Sequence, residues 1–261
     1  QAVIYEYFNQ YGRDLPWRKT ENPYHIFVSE IMLQQTQVER VIQKYGHFIS
    51  VFPDFTSLTR AALKDILRIW QGLGYNRRAL ALVRAAHTIS AEYGGTLPQG
   101  PDQRAKLPGI GKTTAASISV FAFNKPAVFV ETNIRRVFIH KFFAENDNIN
   151  DRDIRPLVEE TLDRSNPRIW YHALMDYGAM LKKVVQNPNR KSSHYRKQPP
   201  FEGSDRQVRG EILRVLLNNP SLSVSEIEKT IHIARKRLNK ILDQLEQEGF
   251  IRAHGGTYTI A

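Results

Sequence analysis

The sequence predicts an all-α protein that ends in a winged helix-turn-helix domain. Three observations carry this prediction. Apolar residues recur at three- and four-residue spacing through most of residues 1–181, strand-like alternation is nearly absent there, and three short amphipathic helices followed by a glycine turn close the chain. The 261 residues, 41% of them hydrophobic, suffice for a substantial core and more than one folding unit.

The apolar periodicity places the helices of the first domain in chain order. Pro23 stands at a first-turn position, and the segment after it repeats apolar residues at helical spacing, as does the segment 38–48. Further helices are predicted over 58–67, 77–93, 113–123, 133–143, 154–164 and 167–182.

A basic connector is predicted over residues 182–204, between a first domain at 1–181 and a second at 205–261. The apolar periodicity stops at Lys182. From there to Arg209 the chain has eight Lys and Arg residues, and its only acidic residues are Glu202 and Asp205. A solvated linker and a loop that follows a nucleic-acid strand both fit this composition.

The second domain has the order of elements of a winged helix. One amphipathic helix carries Val208 and Ile212, a capping box at Ser223–Glu226 begins the next, and a third is predicted over 233–247. A hairpin with a Gly255-Gly256 turn follows. The third helix carries basic side chains suited to phosphates or a groove, and a protein-docking or purely structural module is the alternative. These side chains are Arg235, Lys236, Arg237 and Lys240.

Composition narrows the class of partner. Lys and Arg number 37 against 26 Asp and Glu, which gives a net charge of +11 and favours an anionic partner such as nucleic acid over a merely solvated basic surface. The chain has no cysteine, which excludes disulfides and thiolate metal sites. No apolar run reaches the length of a membrane span, and we expect an intracellular monomer in the cytoplasm or nucleoid without membrane contact.

The run LPGIGKTTA at 107–115 indicates a hairpin whose main-chain N–H groups bind a phosphate. Gly109 and Gly111 flank one apolar residue, and a helix beginning at Lys112 would point its free N–H groups at an anion. Glu131 follows in VETNIRRV, where a carboxylate could stand beside the sugar of the gripped strand. This pairing predicts chemistry on DNA in addition to binding.

The strings LPWR, SEIMLQQTQV, GLGY, LPGIGKTTA and VETNIRRV occur in the order expected of a helix-hairpin-helix DNA glycosylase. Over residues 3–181 the chain most resembles the adenine DNA glycosylase (MutY) branch. The resemblance implies two helical lobes around a cleft and an enzyme that flips a base out of the duplex and cuts its bond to the sugar.

The resemblance also implies catalytic roles. Glu30, on an apolar helix that would raise its pKa, takes the place of the acid that protonates the leaving base; a solvated or Arg-paired glutamate is the alternative. Glu131 stands where the family has an aspartate that stabilises the sugar cation, and a helix-capping acid or an impaired site is the alternative. Thr113 replaces the lysine of bifunctional relatives, so Schiff-base strand cleavage is not expected.

Further positions match contacts to the flipped base and the DNA. Gln35 and Tyr75 match residues that enter the base stack, and a core aromatic is the alternative for Tyr75. Trp17, Arg18 and Asp176 match the wall of the base pocket, with packing or ion pairing as the alternative. Asn133 is expected at phosphate or sugar, or as a helix cap.

Two departures from the family pattern affect cofactors and substrate. The first cysteine of the iron–sulfur cluster of this branch would align with Lys182, so no cluster is expected; a monovalent cation at the hairpin carbonyls is possible. A winged helix replaces the domain that reads the opposite base. Double-stranded DNA with a mispaired or damaged base is the expected partner, with adenine opposite guanine or 8-oxoguanine as substrate; thymine or uracil excision and lesion binding without cleavage are the alternatives.

Overall fold

The structure is a computed structural model that describes residues 1–261, and it is mostly helical. Two 3-10 helices cover Pro16–Arg18 and Pro188–Lys191. The α-helices are α1 Ala2–Tyr11, α2 Pro23–Leu33, α3 Val38–Val51, α4 Phe55–Arg60, α5 Leu63–Trp70, α6 Arg77–Glu92, α7 Pro101–Arg104, α8 Lys112–Phe123, α9 Thr132–Phe142, α10 Asp151–Glu160, α11 Pro167–Val184, α12 Asp205–Asn218, α13 Val224–Ile231 and α14 Arg235–Glu248. The strands are β1 Leu222–Ser223, β2 Ile251–His254 and β3 Thr257–Ile260. The all-α prediction with a terminal winged helix is confirmed.

The helix predicted over 58–67 is wrong, because two short helices share this region. Asp54 caps α4 by accepting a hydrogen bond from the backbone N–H of Ser57, so α4 begins at Phe55. Ala61 and Ala62 are extended, with ψ of 139° and 140°, and α5 begins after them. The apolar periodicity does not reveal the break, because both helices bury apolar side chains, Phe55 and Leu58 on α4 and Ile66, Leu67 and Trp70 on α5.

The segment 182–192 is more ordered than predicted. Helix α11 continues to Val184, and the 3-10 helix at Pro188–Lys191 packs against α9. Pro188 and Asn189 are buried, and Ile149 forms a parallel bridge with Ser192. Periodicity could not predict this turn, because Asn, Pro and basic residues form it without an apolar repeat.

Two compact units form the molecule. The first contains residues 1–31 and 96–197, and α11 packs against α1, α8 and α9 in it. Buried aromatic residues form part of its core. Among them, the rings of Phe129, which precedes α9, and Tyr171, on α11, stack with centroids 4.2 Å apart. This packing fixes the directions of the helix ends that carry the candidate site.

The second unit contains residues 32–95 and 198–261. Helix α4 packs against α6, and the Phe48 and Trp70 rings meet edge to face at 6.1 Å. The terminal sheet is antiparallel in the order β1-β3-β2, and the predicted turn at Gly255-Gly256 joins β2 to β3 with φ of 55° and 80°. The short strand β1 was not predicted, because two residues carry no readable alternation.

The winged helix is fastened to α6 within this second unit. Glu248, at the end of α14, accepts hydrogen bonds from Arg77 of α6 at 2.7 and 2.9 Å and from Arg209 of α12 at 2.6 Å. Arg84 of α6 donates to the Glu248 carbonyl at 2.8 Å. The winged helix therefore shares one compact unit with 32–95, and the boundaries 1–181, 182–204 and 205–261 stay predictions. None of the helices is both long and apolar enough to cross a membrane.

Replacing Glu248 by Gln should lower the free energy of unfolding by about 1–3 kcal/mol, because the charged hydrogen bonds to Arg77 and Arg209 are lost and the largely buried Arg209 keeps its charge. Chemical denaturation measures this difference. Asp243→Asn removes an exposed carboxylate from the same helix and should change stability by less than about 0.5 kcal/mol. Equal effects of the two variants would contradict the role given to Glu248.

Candidate active site

Glu30 lies on α2, with its carboxylate facing the buried hydroxyl of Ser117 on α8. The Ser117 hydroxyl donates a short hydrogen bond to Glu30 Oε2. Burial raises the pKa of Glu30 to about 7; the Ser117 bond acts against this shift, and the nearby charge of Glu131 adds to it. A carboxyl group with this pKa is partly protonated at neutral pH and can donate a proton.

Glu131 is the N-cap of α9. Its Oε1 accepts hydrogen bonds from the backbone N–H groups of Asn133 at 2.7 Å and Ile134 at 2.9 Å. Burial raises the pKa of Glu131 overall, and these N–H groups and the guanidinium groups of two neighbouring arginines act against that rise. The predicted capping role is therefore confirmed, and it leaves Glu131 near enough to Glu30 for the charge of one to raise the pKa of the other.

The first turn of α9 is locked by residues that the sequence analysis missed. Buried Arg136 donates to Asn133 Oδ1 at 2.8 Å and to the Gly178 carbonyl of α11 at 2.6 Å. Asn189 donates to the Thr132 carbonyl at 2.9 Å. The connector thus supports the helix end that carries Glu131, and Asn133 contacts Arg136 and Glu131 Oε2.

Of the three residues expected to line a base pocket, Arg18 and Asp176 contact each other directly. Trp17 is buried on the first 3-10 helix, and the Arg18 guanidinium forks onto both Asp176 oxygens at 2.8 Å. Arg13 adds two more hydrogen bonds to the same carboxylate, at 2.6 and 2.8 Å. Burial raises the pKa of Asp176, but these donors outweigh it and lower the pKa overall. Arg18 and Asp176 thus form a buried ion pair, and a role in lining a base pocket stays a prediction.

The hairpin at 107–111 has the geometry that a backbone grip requires. Leu107 and Ile110 are buried and anchor it, Gly109 has φ of 77°, and Gly111 caps α8. Helix α8 begins at Lys112 as predicted, and both Lys112 and Thr113 are exposed. The hairpin therefore presents backbone to solvent, and DNA contact there stays a prediction.

Gln35 and Tyr75 occupy two turns of the second unit, and both have left-handed backbones, with φ of 53° and 47°. Arg78, which is 8% exposed, ties these turns together. Its guanidinium donates to the carbonyls of Met32, Gln34, Leu73 and Gly74 and to the Thr36 hydroxyl at 2.6–3.2 Å. Burial lowers the pKa of Arg78 to about 10, so it stays charged at neutral pH. The sequence did not point to Arg78, because nothing in it distinguishes Arg78 from the neighbouring Arg77.

The basic residues of α14 are partly engaged within the winged helix. Arg235 pairs with Glu228 at 2.7 Å, and Arg237 pairs with Asp205 at 2.6 Å. Lys236 and Lys240 are exposed. The chain has no cysteine to ligate an iron–sulfur cluster near Lys182, so the residues present do not fit that group.

A glycine hairpin before α8, two half-buried carboxylates whose charges interact and a terminal winged helix are combined in one helical protein. A family model described as HhH-GPD superfamily base excision DNA repair protein matches residues 28–163, and a MarR family model matches 207–253. The chain belongs to the HhH-GPD superfamily of base excision DNA repair proteins.

Known proteins show the extent of the similarity. An adenine DNA glycosylase of Buchnera aphidicola subsp. Baizongia pistaciae is 39% identical over 186 residues, which are 69% of this chain and 52% of that protein. A thymine/uracil-DNA glycosylase of Methanothermobacter thermautotrophicus is 32% identical over 69% of this chain and 83% of its own length. The solved structure of a thermostable thymine-DNA glycosylase superposes with a TM-score of 0.65 at 30% identity, covering 73% and 89% of the two chains. The chain spans about half the length of the Buchnera relatives.

Gly178→Ala tests the contact that fixes the first turn of α9. A Cβ at Gly178 would lie 2.3 Å from the Asn133 carbonyl oxygen, so the free energy of unfolding should fall by about 1–3 kcal/mol. Gly46→Ala, on helix α3 with no atom within 4 Å of the new Cβ, should instead raise it by about 1 kcal/mol through helix propensity. Thermal unfolding of both variants checks this, and stabilisation by both would rule out close packing at Gly178.

Proposed function

We propose that the chain is a DNA N-glycosylase that hydrolyses the bond between a flipped base and its deoxyribose. The observation that carries this proposal is Glu30, whose pKa burial raises to about 7, close to the N-capping carboxylate of Glu131. Glu30 would donate a proton to the departing base, and ionised Glu131 would stabilise the positive charge that develops on the sugar. Such cleavage requires one carboxyl group that donates a proton and one that is ionised. Two carboxyl groups in different environments can divide these roles.

The proposed reaction is monofunctional. Thr113 presents a hydroxyl where a Schiff-base mechanism needs an amine, and the adjacent Lys112 would contact the phosphate backbone. The reaction would proceed without an iron–sulfur cluster, and a monovalent cation at the hairpin carbonyls would add only to backbone binding. Duplex DNA in the nucleoid is the partner we propose, bound by a monomer, with Gln35 and Tyr75 entering the stack and Arg235 and Arg237 at the phosphates.

Adenine opposite guanine or 8-oxoguanine is the substrate we propose, supported by the similarity to adenine DNA glycosylases. A second candidate is thymine or uracil opposite guanine. The match to 83% of the thymine/uracil-DNA glycosylase, together with the superposition on the thymine-DNA glycosylase, favours this second candidate. A third alternative is a protein that binds DNA lesions and does not cut them, because Glu131 stands where the family has an aspartate.

A panel of duplexes separates these functions. Each carries one mispair or damaged base, and alkali then breaks the strand wherever a base was removed. We expect breaks at adenine, no adduct after borohydride treatment, and a rate about 10²–10⁴-fold lower for Glu30→Gln, because the amide cannot act as an acid. Glu92→Gln, at an exposed position, is the control and should keep the rate. Breaks at thymine or uracil would support the second candidate, and tight binding without breaks the third.

The dependence of the cleavage rate on pH tests the state of Glu30. The rate should fall above a pH of about 7, where Glu30 loses its proton. Ser117→Ala removes a hydrogen bond that stabilises the charged carboxylate, so the pKa of Glu30 should rise and the alkaline limb should move to higher pH. An alkaline limb that stays in place in the variant would show that Glu30 is not the group that titrates.

A further inference from the structure

The phenol oxygen of Tyr75 is held by two donors from the carboxyl-terminal part of the second unit. Arg206, on α12 of the winged helix, donates from Nη1 at 2.9 Å. Gln198, within the connector, donates a second, short hydrogen bond. Because both groups donate, the phenol oxygen is the acceptor of both and its own hydrogen is left to point elsewhere.

The ring of Tyr75 also lies near two guanidinium groups. The central carbon of Arg78 is 5.6 Å from the ring centroid, and that of Arg206 is 5.9 Å away. Both distances are within the range of cation–π attraction. Arg78 lies on α6, close to Tyr75 in the chain, whereas Arg206 lies on α12 of the winged helix.

Arg206 is itself fixed, because its Nη2 donates to the Pro199 carbonyl at 2.9 Å. The two ends of one guanidinium thus join the connector to the phenol. The nearby fastening of α12 and α14 to α6 through Glu248 keeps Arg206 on a rigid support. A winged helix that only added nonspecific affinity for phosphates would not need this contact.

We propose that Arg206 is a positioning residue for Tyr75, so that the winged helix presents the aromatic side chain to the DNA in one orientation. This inference rests on the proposed function, in which Tyr75 enters the base stack. An unrestrained tyrosine loses rotamer freedom when it inserts, and holding it beforehand removes that cost from the insertion step. The winged helix then contributes to base extrusion through a side chain that lies outside its own fold.

A double-mutant cycle in the full chain tests this inference. Arg206→Ala, Tyr75→Phe and the double variant are compared, with Arg214→Ala as the control, since Arg214 is an exposed arginine on the same helix. The first readout is the fluorescence of 2-aminopurine placed beside the mispair in the duplex, which reports unstacking without requiring cleavage. The second is the single-turnover rate of base release.

Arg206→Ala should slow both unstacking and base release by about three- to tenfold, the cost of ordering one freed side chain. In the Tyr75→Phe background, which lacks the acceptor oxygen, the same substitution should cost less than about twofold, because contacting residues are not additive. Arg214→Ala should cost less than about twofold in both backgrounds, and Arg206→Lys should restore part of the rate.

Three outcomes are distinguishable. Equal losses for Arg206→Ala in both backgrounds, or equal losses for Arg206→Ala and Arg214→Ala, would overturn the positioning role. If Tyr75→Ala changes the fluorescence and Arg206→Ala does not, the inference fails while Tyr75 keeps its proposed role. If even Tyr75→Ala leaves the fluorescence of every duplex unchanged, Tyr75 does not enter the base stack as proposed, and the positioning role of Arg206 is wrong as well.

Discussion

Two half-buried glutamates, Glu30 and Glu131, impose the main constraint on the first unit, because the charge of Glu131 raises the pKa of Glu30. Burial raises the pKa of both Glu30 and Glu131, and two adjacent anions in such surroundings repel each other. The fold responds differently at the two positions. Glu131 receives backbone N–H groups at the start of α9 and nearby guanidinium groups, whereas Glu30 receives only a hydroxyl. Glu131 therefore has more donors than Glu30 to stabilise a negative charge, and the roles of acid and anion proposed for the two residues rest on this difference.

The elements around this pair keep the first turn of α9 in place. Arg136 connects it to α11, the missing side chain of Gly178 allows the two helices to approach, and Asn189 of the connector binds the Thr132 carbonyl. In the second unit, Arg78 does similar work for the turns that carry Gln35 and Tyr75. Both candidate DNA-facing regions are thus held by arginines that donate to main-chain carbonyls, a rigid support for functional groups.

The sequence predicted the helices with long apolar repeats, the hairpin before Lys112 and the winged helix, because each has a local signal. The order of the motifs also predicted that Glu30 and Glu131 act together in one catalytic site. It could not predict the break at Ala61-Ala62 or the supporting residues. Ser117 looks like any small residue of an apolar helix, and Arg78 differs from Arg77 only in burial. Tyr75, to which Arg206 donates, and Thr132, to which Asn189 donates, lie 131 and 57 residues away along the chain, beyond any local pattern.

The most direct measurement is a titration of the glutamate carboxyl groups themselves. Carbon-13 labelling of glutamate allows NMR to follow each carboxyl carbon with pH in the free protein, and Glu30→Gln identifies the signal of Glu30. We expect one glutamate that titrates near a pH of about 7 and whose signal disappears in that variant. A spectrum in which Glu30 titrates with the exposed glutamates, near their ordinary pKa of about 4.3, would contradict it.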